Sequence, residues 1–85
     1  MKKLVEEVAG EGLESLLGER VTFFCVNYIY TGKLVGVNTD DVLLSEAAIV
    51  YETGSFDTDE WTDAQSLPHD VYIRTVSIES YMRLK

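Results

Sequence analysis

The sequence predicts an all-β domain: a small, strongly bent five-stranded antiparallel barrel preceded by an N-terminal α-helix. Three observations predict it. From Val21 onward, short runs of β-branched and aromatic residues alternate with turn residues, the pattern of strands joined by tight connections. One run, IYTGKLVGV, carries two glycines, Gly32 and Gly36, where a sharply bent strand must let another backbone come close. A chain of 85 residues with one helix cannot cover both faces of a flat five-stranded sheet, whereas a sheet closed on itself buries its own interior.

Each element follows from local chemistry. Leu4, Val5, Val8, Leu13, Leu16 and Leu17 recur at helical spacing with acids between them, so residues 1–17 read as an amphipathic helix. Gly10 and Gly12 weaken it by about 1 kcal/mol each relative to alanine, and Gly18 is placed to stop it. VTFFCV is the first strand, and Asn27 with Tyr28 forms its turn, asparagine being one of the few residues that tolerates positive φ. IYTGKLVGV is the second strand, NTDD a turn, and VLLSEAAIVYE a third strand that is apolar on much of both faces. Residues 53–69 read as an acidic loop insertion between strands three and four. DVYIRT and SIESYMRL supply the last two strands, giving a single domain over residues 1–85.

Size and charge bound the function. A chain this short leaves no room for a large enzyme with a deep cleft. No apolar run approaches the roughly 20 residues needed to span a bilayer, and the start MKKLVEEV has acids where a signal peptide needs an apolar core. The helix's polar face is acidic, which does not suit a membrane surface. The expectation is a cytoplasmic protein without a membrane partner.

Cys25, the single cysteine, sits within VTFFCV and reads as a small strand residue; the one histidine, His69, stands 44 positions away beside Pro68. No nucleophile, base and orienting group share a plausible spacing, so no enzyme is expected, and no cofactor or metal set is evident.

The formal charge of −8 opposes a nonspecific grip on nucleic acid, which needs clustered Lys and Arg. Its distribution matters: residues 52–70 carry six acids and no Lys or Arg, and removing them leaves −2. Within that segment SFDTDEWTD packs four acids around the only tryptophan. Asp57, Asp59 and Asp63 match positions one, three and seven of a calcium loop, but Trp61, Thr62 and Pro68 stand at the fifth position, the required glycine and the bidentate glutamate. An exposed hairpin loop is the better reading. Trp61 must put its ring somewhere, on its own barrel or on a neighbour, and is singled out as a protein contact.

The flanking segments resemble a known family. YTGKLVGVNTDDVLL resembles the first Sm motif, in which an aromatic, a glycine, a leucine two places on and a polar turn keep fixed register. YIRTVSIES resembles the second motif, an apolar residue followed by arginine and usually glycine, and GLESLLGERVTFF looks like the family's helix running into its first strand. Asn27 stands where the family commonly has a turn glycine. The resemblance covers nearly the whole chain outside residues 53–69.

Resemblance to the Sm and Sm-like family implies an SH3-like barrel that assembles into a homo-oligomeric ring of six or seven subunits, the fourth strand of one joined to the fifth of the next. Such closure would cover strand edges whose unpaired backbone groups otherwise invite aggregation. Val71, Tyr72, Ile73, Ile78, Tyr81 and Met82 supply material for the seam or for the chain's own core.

The resemblance also implies binding of single-stranded, often uridine-rich RNA around the pore. Arg74 matches the second motif's arginine, able to stack on a base or meet phosphate, and equally able to neutralise Asp40 or Asp41. Asn38 falls where the first motif usually has aspartate, holding the turn. Asp41 replaces the base-contacting asparagine in a turn one residue shorter, Asp40 occupies the neighbourhood of the missing stacking residue, and Thr75 replaces the glycine after the arginine. Two carboxylates per subunit around a ring would set negative potential where RNA enters. The competing expectation is an oligomeric protein-interaction module with a degenerate RNA pocket, recognising other proteins through the Trp61 loop.

Overall fold

A computed structural model describes residues 12–85. The expected helix over residues 1–17 lies mainly outside the described residues. Within them, Leu13–Leu16 form a single turn of 3-10 helix rather than α-helix. Gly12, at φ 76 and ψ −158, opens the turn in a conformation suited to glycine, and Gly18 at φ 88 ends it. The five residues between two such breaks cannot sustain a nucleated α-helix. The turn nevertheless contributes Leu13 and Leu16 to the side of the core, and the Gly18 N–H donates to the Leu34 carbonyl at 2.7 Å.

Six strands follow: β1 (Arg20–Cys25), β2 (Ile29–Val37), β3 (Asp41–Glu52), β4 (Asp63–Ser66), β5 (Val71–Arg74) and β6 (Ile78–Arg83). They form one antiparallel sheet in the order β4-β3-β2-β1-β6, with β5 also pairing β3. The sheet is open, since no ladder joins β6 to β4 or β5. The count of six departs from the expected five because Asp63–Ser66, expected within the loop, is a strand. β3 runs for 12 residues, and β5 pairs only its first part, from Asp41 to Leu44. Residues 63–66 satisfy the backbone opposite Ala48 to Glu52.

The two glycines of β2 lie where the ladder is irregular. Between the pairs Thr31↔Ala48 and Lys33↔Ser45, β3 carries one extra residue, and Glu46 adopts φ 51. A Cβ on Gly32 would lie 3.0 Å from the Ser45 carbonyl oxygen and 3.1 Å from the Ala47 Cα. Gly36 follows a second shift, between Leu34↔Leu44 and Gly36↔Leu43. Such bulges bend a strand and increase its twist.

The core gathers Val21, Phe23, Leu34, Val42, Leu44, Ala47 and Ile73, with Val71 and Ile78 packed against it. Thr22 and Thr31 are buried as well, although Thr22 alternates with core residues. The cover is the chain after β6. Leu84 donates its N–H to the Arg20 carbonyl at 2.7 Å; the Leu84 carbonyl accepts from the Thr22 hydroxyl at 2.8 Å and the Lys85 carbonyl from the Thr31 hydroxyl at 3.0 Å. Leu84 at φ 71 and Lys85 at φ 38 carry the backbone through this crossing.

Candidate functional site

The turn between β2 and β3 is built by one side chain. Asn38 Oδ1 accepts the backbone N–H groups of Asp40 and Asp41, each at 2.8 Å, while its own N–H donates to the Asp41 carbonyl at 2.9 Å. A short side chain with a carbonyl at this position substitutes for backbone acceptors, so asparagine can hold a turn that an aliphatic residue would leave unsatisfied.

β5 brings the second sequence motif against this turn. Asp41 is the register partner of Arg74, and the Thr75 N–H donates to the Asp40 carbonyl at 2.8 Å. The Thr75 hydroxyl, 3.0 Å from the Thr39 carbonyl and 3.1 Å from that of Asp40, adds a side-chain clamp. Asn38, Asp40, Asp41, Arg74 and Thr75, selected from two segments over thirty residues apart, thus converge on one corner of the sheet. Thr75 acts as a turn anchor, which a glycine lacks the hydroxyl to do.

Arg74 Nε lies 3.5 Å from Asp41 Oδ1, the one ion pair among the described residues. The arginine side chain is 72% exposed, so the contact is screened and most of the guanidinium faces solvent. Beside the pair is a cleft of about 200 Å³ lined by Gly36, Val37, Asn38, Asp41, Val42, Leu43 and Tyr72. Tyr72, 69% exposed, adds an aromatic wall to the cleft, at a residue expected in the seam or in the chain's own core. The period-two alternation of β5 was the available signal: Ile73 is buried in the core, and Tyr72 and Arg74 point outward.

Of the other seam residues, Val71 and Ile78 pack on the chain's own core, Met82 is half-buried opposite Thr22, and the Tyr81 ring meets Phe23 edge-on at 6.1 Å. Tyr81 still leaves 41% of its surface exposed.

Trp61 lies in the connection from β3 to β4. Its ring stands perpendicular to Phe56, centroids 6.1 Å apart, and Phe56 reaches Phe24 of β1 at 6.2 Å. Lys85 completes the cluster with Nζ 4.8 Å from the Trp61 centroid and 5.2 Å from that of Phe56. No local pattern joins Lys85 to this loop, since the contact depends on where the chain after β6 crosses the sheet. A wide, open recess of about 460 Å³ adjoins, lined by Thr58, Asp59, Glu60, Trp61 and Thr62.

Burial raises the Cys25 thiol above its ordinary 9.0, the Ser77 hydrogen bond pulls it down, and the charge of Glu79 adds to the rise. At neutral pH it is a protonated, weakly reactive thiol. Among the described residues, no three His, Cys, Asp or Glu side chains converge as metal ligands, and no helix is long and apolar enough to cross a membrane. Comparison with known proteins finds no matching family model and no matching curated relative.

Proposed function

We propose that the chain is a cytoplasmic Sm-like subunit that forms a homo-oligomeric ring and binds single-stranded RNA, uridine-rich by preference, around the pore. The observation that carries this reading is the meeting of the two motif-like segments: the Asn38 turn and the Arg74–Thr75 corner touch through side chains that sequence alone singled out. The exposed Arg74 guanidinium and Tyr72 ring beside the cleft offer a cation and a stacking face, the two elements that single-strand recognition uses.

The strand order supports the strongly bent, SH3-like form of the barrel. β5 and β6 lie toward opposite ends of the sheet path yet are joined by only Thr75–Ser77, a single 3-10 turn, which requires the sheet to curl. The outer edges of β5 and β6 have no partner among the described residues, and edge-to-edge pairing of successive copies would satisfy both.

Mass measurement in solution and filter binding to oligouridine and oligoadenine test the two parts. A hexamer or heptamer is expected, with oligouridine binding that weakens on Arg74→Ala and with added salt. A strict monomer removes the ring; affinity weaker than millimolar at low salt, or indifference to Arg74→Ala, removes the RNA. A second reading, a ring used as a protein-interaction module with a degenerate pocket, is favoured by Asp41, which lines the cleft and engages the Arg74 guanidinium, and by Asp40 in the adjoining turn, whose carboxylate opposes an approaching phosphate.

A further inference from the structure

The hairpin between β3 and β4 grips an ammonium group. Lys85 Nζ donates to the Ser55 carbonyl at 2.6 Å, the Thr53 carbonyl at 3.1 Å and the Thr58 hydroxyl at 3.4 Å, three acceptors for the three protons of a lysine head group. Phe56 and Trp61, at 89° to each other, form two walls of the same site. Among the described residues no carboxylate pairs with Nζ, although Asp57, Asp59, Glu60 and Asp63 belong to the same segment. The two ring faces would accept either cation, but three neutral oxygens converging on one nitrogen suit the three donors of a compact ammonium and do not match the flat fork of a guanidinium.

Lys85 occupies this site at a cost. It arrives through two successive non-glycine residues in the left-handed region, Leu84 and Lys85, a conformation that L side chains rarely adopt. A lysine supplied from elsewhere would carry no such backbone strain. The hairpin is also far from neutralised: residues 52–70 hold six acids, and a single lysine leaves five of those charges. Trp61 Nε1, finally, is a buried donor with no acceptor among the described residues, beside the open recess that Asp59 and Glu60 line.

We propose that this cage is a receptor for a lysine side chain on a basic segment of a partner protein, and that Lys85 is its resident occupant, displaced when the partner binds. The incoming lysine takes the Ser55, Thr53 and Thr58 oxygens and the two rings, and basic neighbours in the partner face the acids of residues 52–70. The site shares no residue with the Asn38–Arg74 cleft and does not rest on the RNA reading.

Trp61 is the only tryptophan, so its emission reports the cage directly. The full chain and its Lys85→Gln variant are titrated with a short lysine-rich peptide, with the same peptide acetylated at every Nε, and with an arginine peptide of equal charge. The lysine peptide is expected to shift Trp61 emission and to bind Lys85→Gln at least about tenfold more tightly than the unaltered chain, because a competitor tethered at roughly millimolar effective concentration is gone. The acetylated peptide should not bind, and the arginine peptide should bind at least about tenfold more weakly than the lysine peptide. Adding Phe56→Leu to Lys85→Gln should weaken the lysine peptide by about tenfold.

Equal affinity for the two chains, or equal response to lysine and arginine peptides, would overturn the proposal by reducing the effect to diffuse attraction to an acidic loop. Should Lys85→Gln fail to fold by circular dichroism, the unaltered chain decides: a lysine peptide that moves Trp61 emission no more than the arginine peptide sinks the idea. Loss of oligouridine binding would leave all of these results unchanged.

Discussion

Gly32→Ala tests the bend on which the site depends. A methyl group there would sit 3.0 Å from the Ser45 carbonyl oxygen, 3.1 Å from the Ala47 Cα and 3.4 Å from the Ala47 Cβ. Two of the three atoms are backbone, in a strand held by β2 on one side and by β4 and β5 on the other, so relief requires moving a ladder rather than rotating a side chain. Overpacking of this kind costs about 1–3 kcal/mol, and the entropy that alanine removes from the unfolded chain returns about 0.4–1 kcal/mol. The net loss is about 1.5 kcal/mol, or a Tm lower by about 6–12 °C for a domain of this size.

Gly36→Ala is the internal comparison. Its methyl meets only the Leu43 side chain, at 3.2 Å and 3.9 Å, and its loss should stay below about 1 kcal/mol. Urea denaturation followed by far-ultraviolet circular dichroism, with m-values unchanged, supplies the measurement. Gly32→Ala as stable as the unaltered chain, or less damaging than Gly36→Ala, would refute the argument that the bulge forces two backbones together.

Further outcomes follow from the same contacts. Glu46→Gly should stabilise the chain by about 0.5–1 kcal/mol, since relief of a left-handed non-glycine residue, about 1–2 kcal/mol, exceeds the added freedom of the unfolded state; a lower urea midpoint would contradict this. Asn38→Ala should cost about 1 kcal/mol, the net worth of the turn's hydrogen bonds, since the exposed N–H groups of Asp40 and Asp41 then turn to water, whereas Asn38→Asp keeps the acceptor and should cost less in the same melts. Asp41→Asn should change stability by less than about 0.5 kcal/mol because Arg74 is exposed, yet should raise oligouridine affinity in filter binding if the cleft takes RNA. Above neutral pH the unfolded chain loses the Cys25 proton first, at its ordinary 9.0, while the folded chain holds it to a higher pH. Stability therefore declines as pH rises through 9.0 toward the raised folded value, and Tyr30, raised above 10.0 chiefly by burial, extends the decline. Melts of Cys25→Ala across that range should lack the earlier part of the loss.

Asn38, Asp40, Asp41, Arg74 and Thr75 were singled out through the resemblance of their two segments to the Sm motifs, each a pattern contained in one short run; of these, Asn38 and Asp41 line the cleft, and its other walls follow from how β2, β3 and β5 pack. The Asp41–Arg74 contact was also anticipated as one of two roles for the arginine, because the turn and the run belong to adjoining strands. The extra strand at residues 63–66 was hidden by its composition: DAQS is fully exposed and has no apolar alternation, and it pairs because β3 is long enough to need a partner there.

By itself, the sequence determined the β character of the chain from Val21 onward, the turn at Asn38, the break at Gly18 and the need for small residues at Gly32 and Gly36. These depend on φ preferences, side-chain shape and hydrogen bonds between near neighbours, which a window of a few residues contains. Tertiary structure alone decided that Glu46 takes the strained place in the bulge, that Thr22 and Thr31 lie under the chain after β6, and that Lys85 ends between Phe56 and Trp61. Each of those outcomes depends on register or on a chain crossing tens of residues away, and pairing register is fixed only when the whole sheet buries its core together.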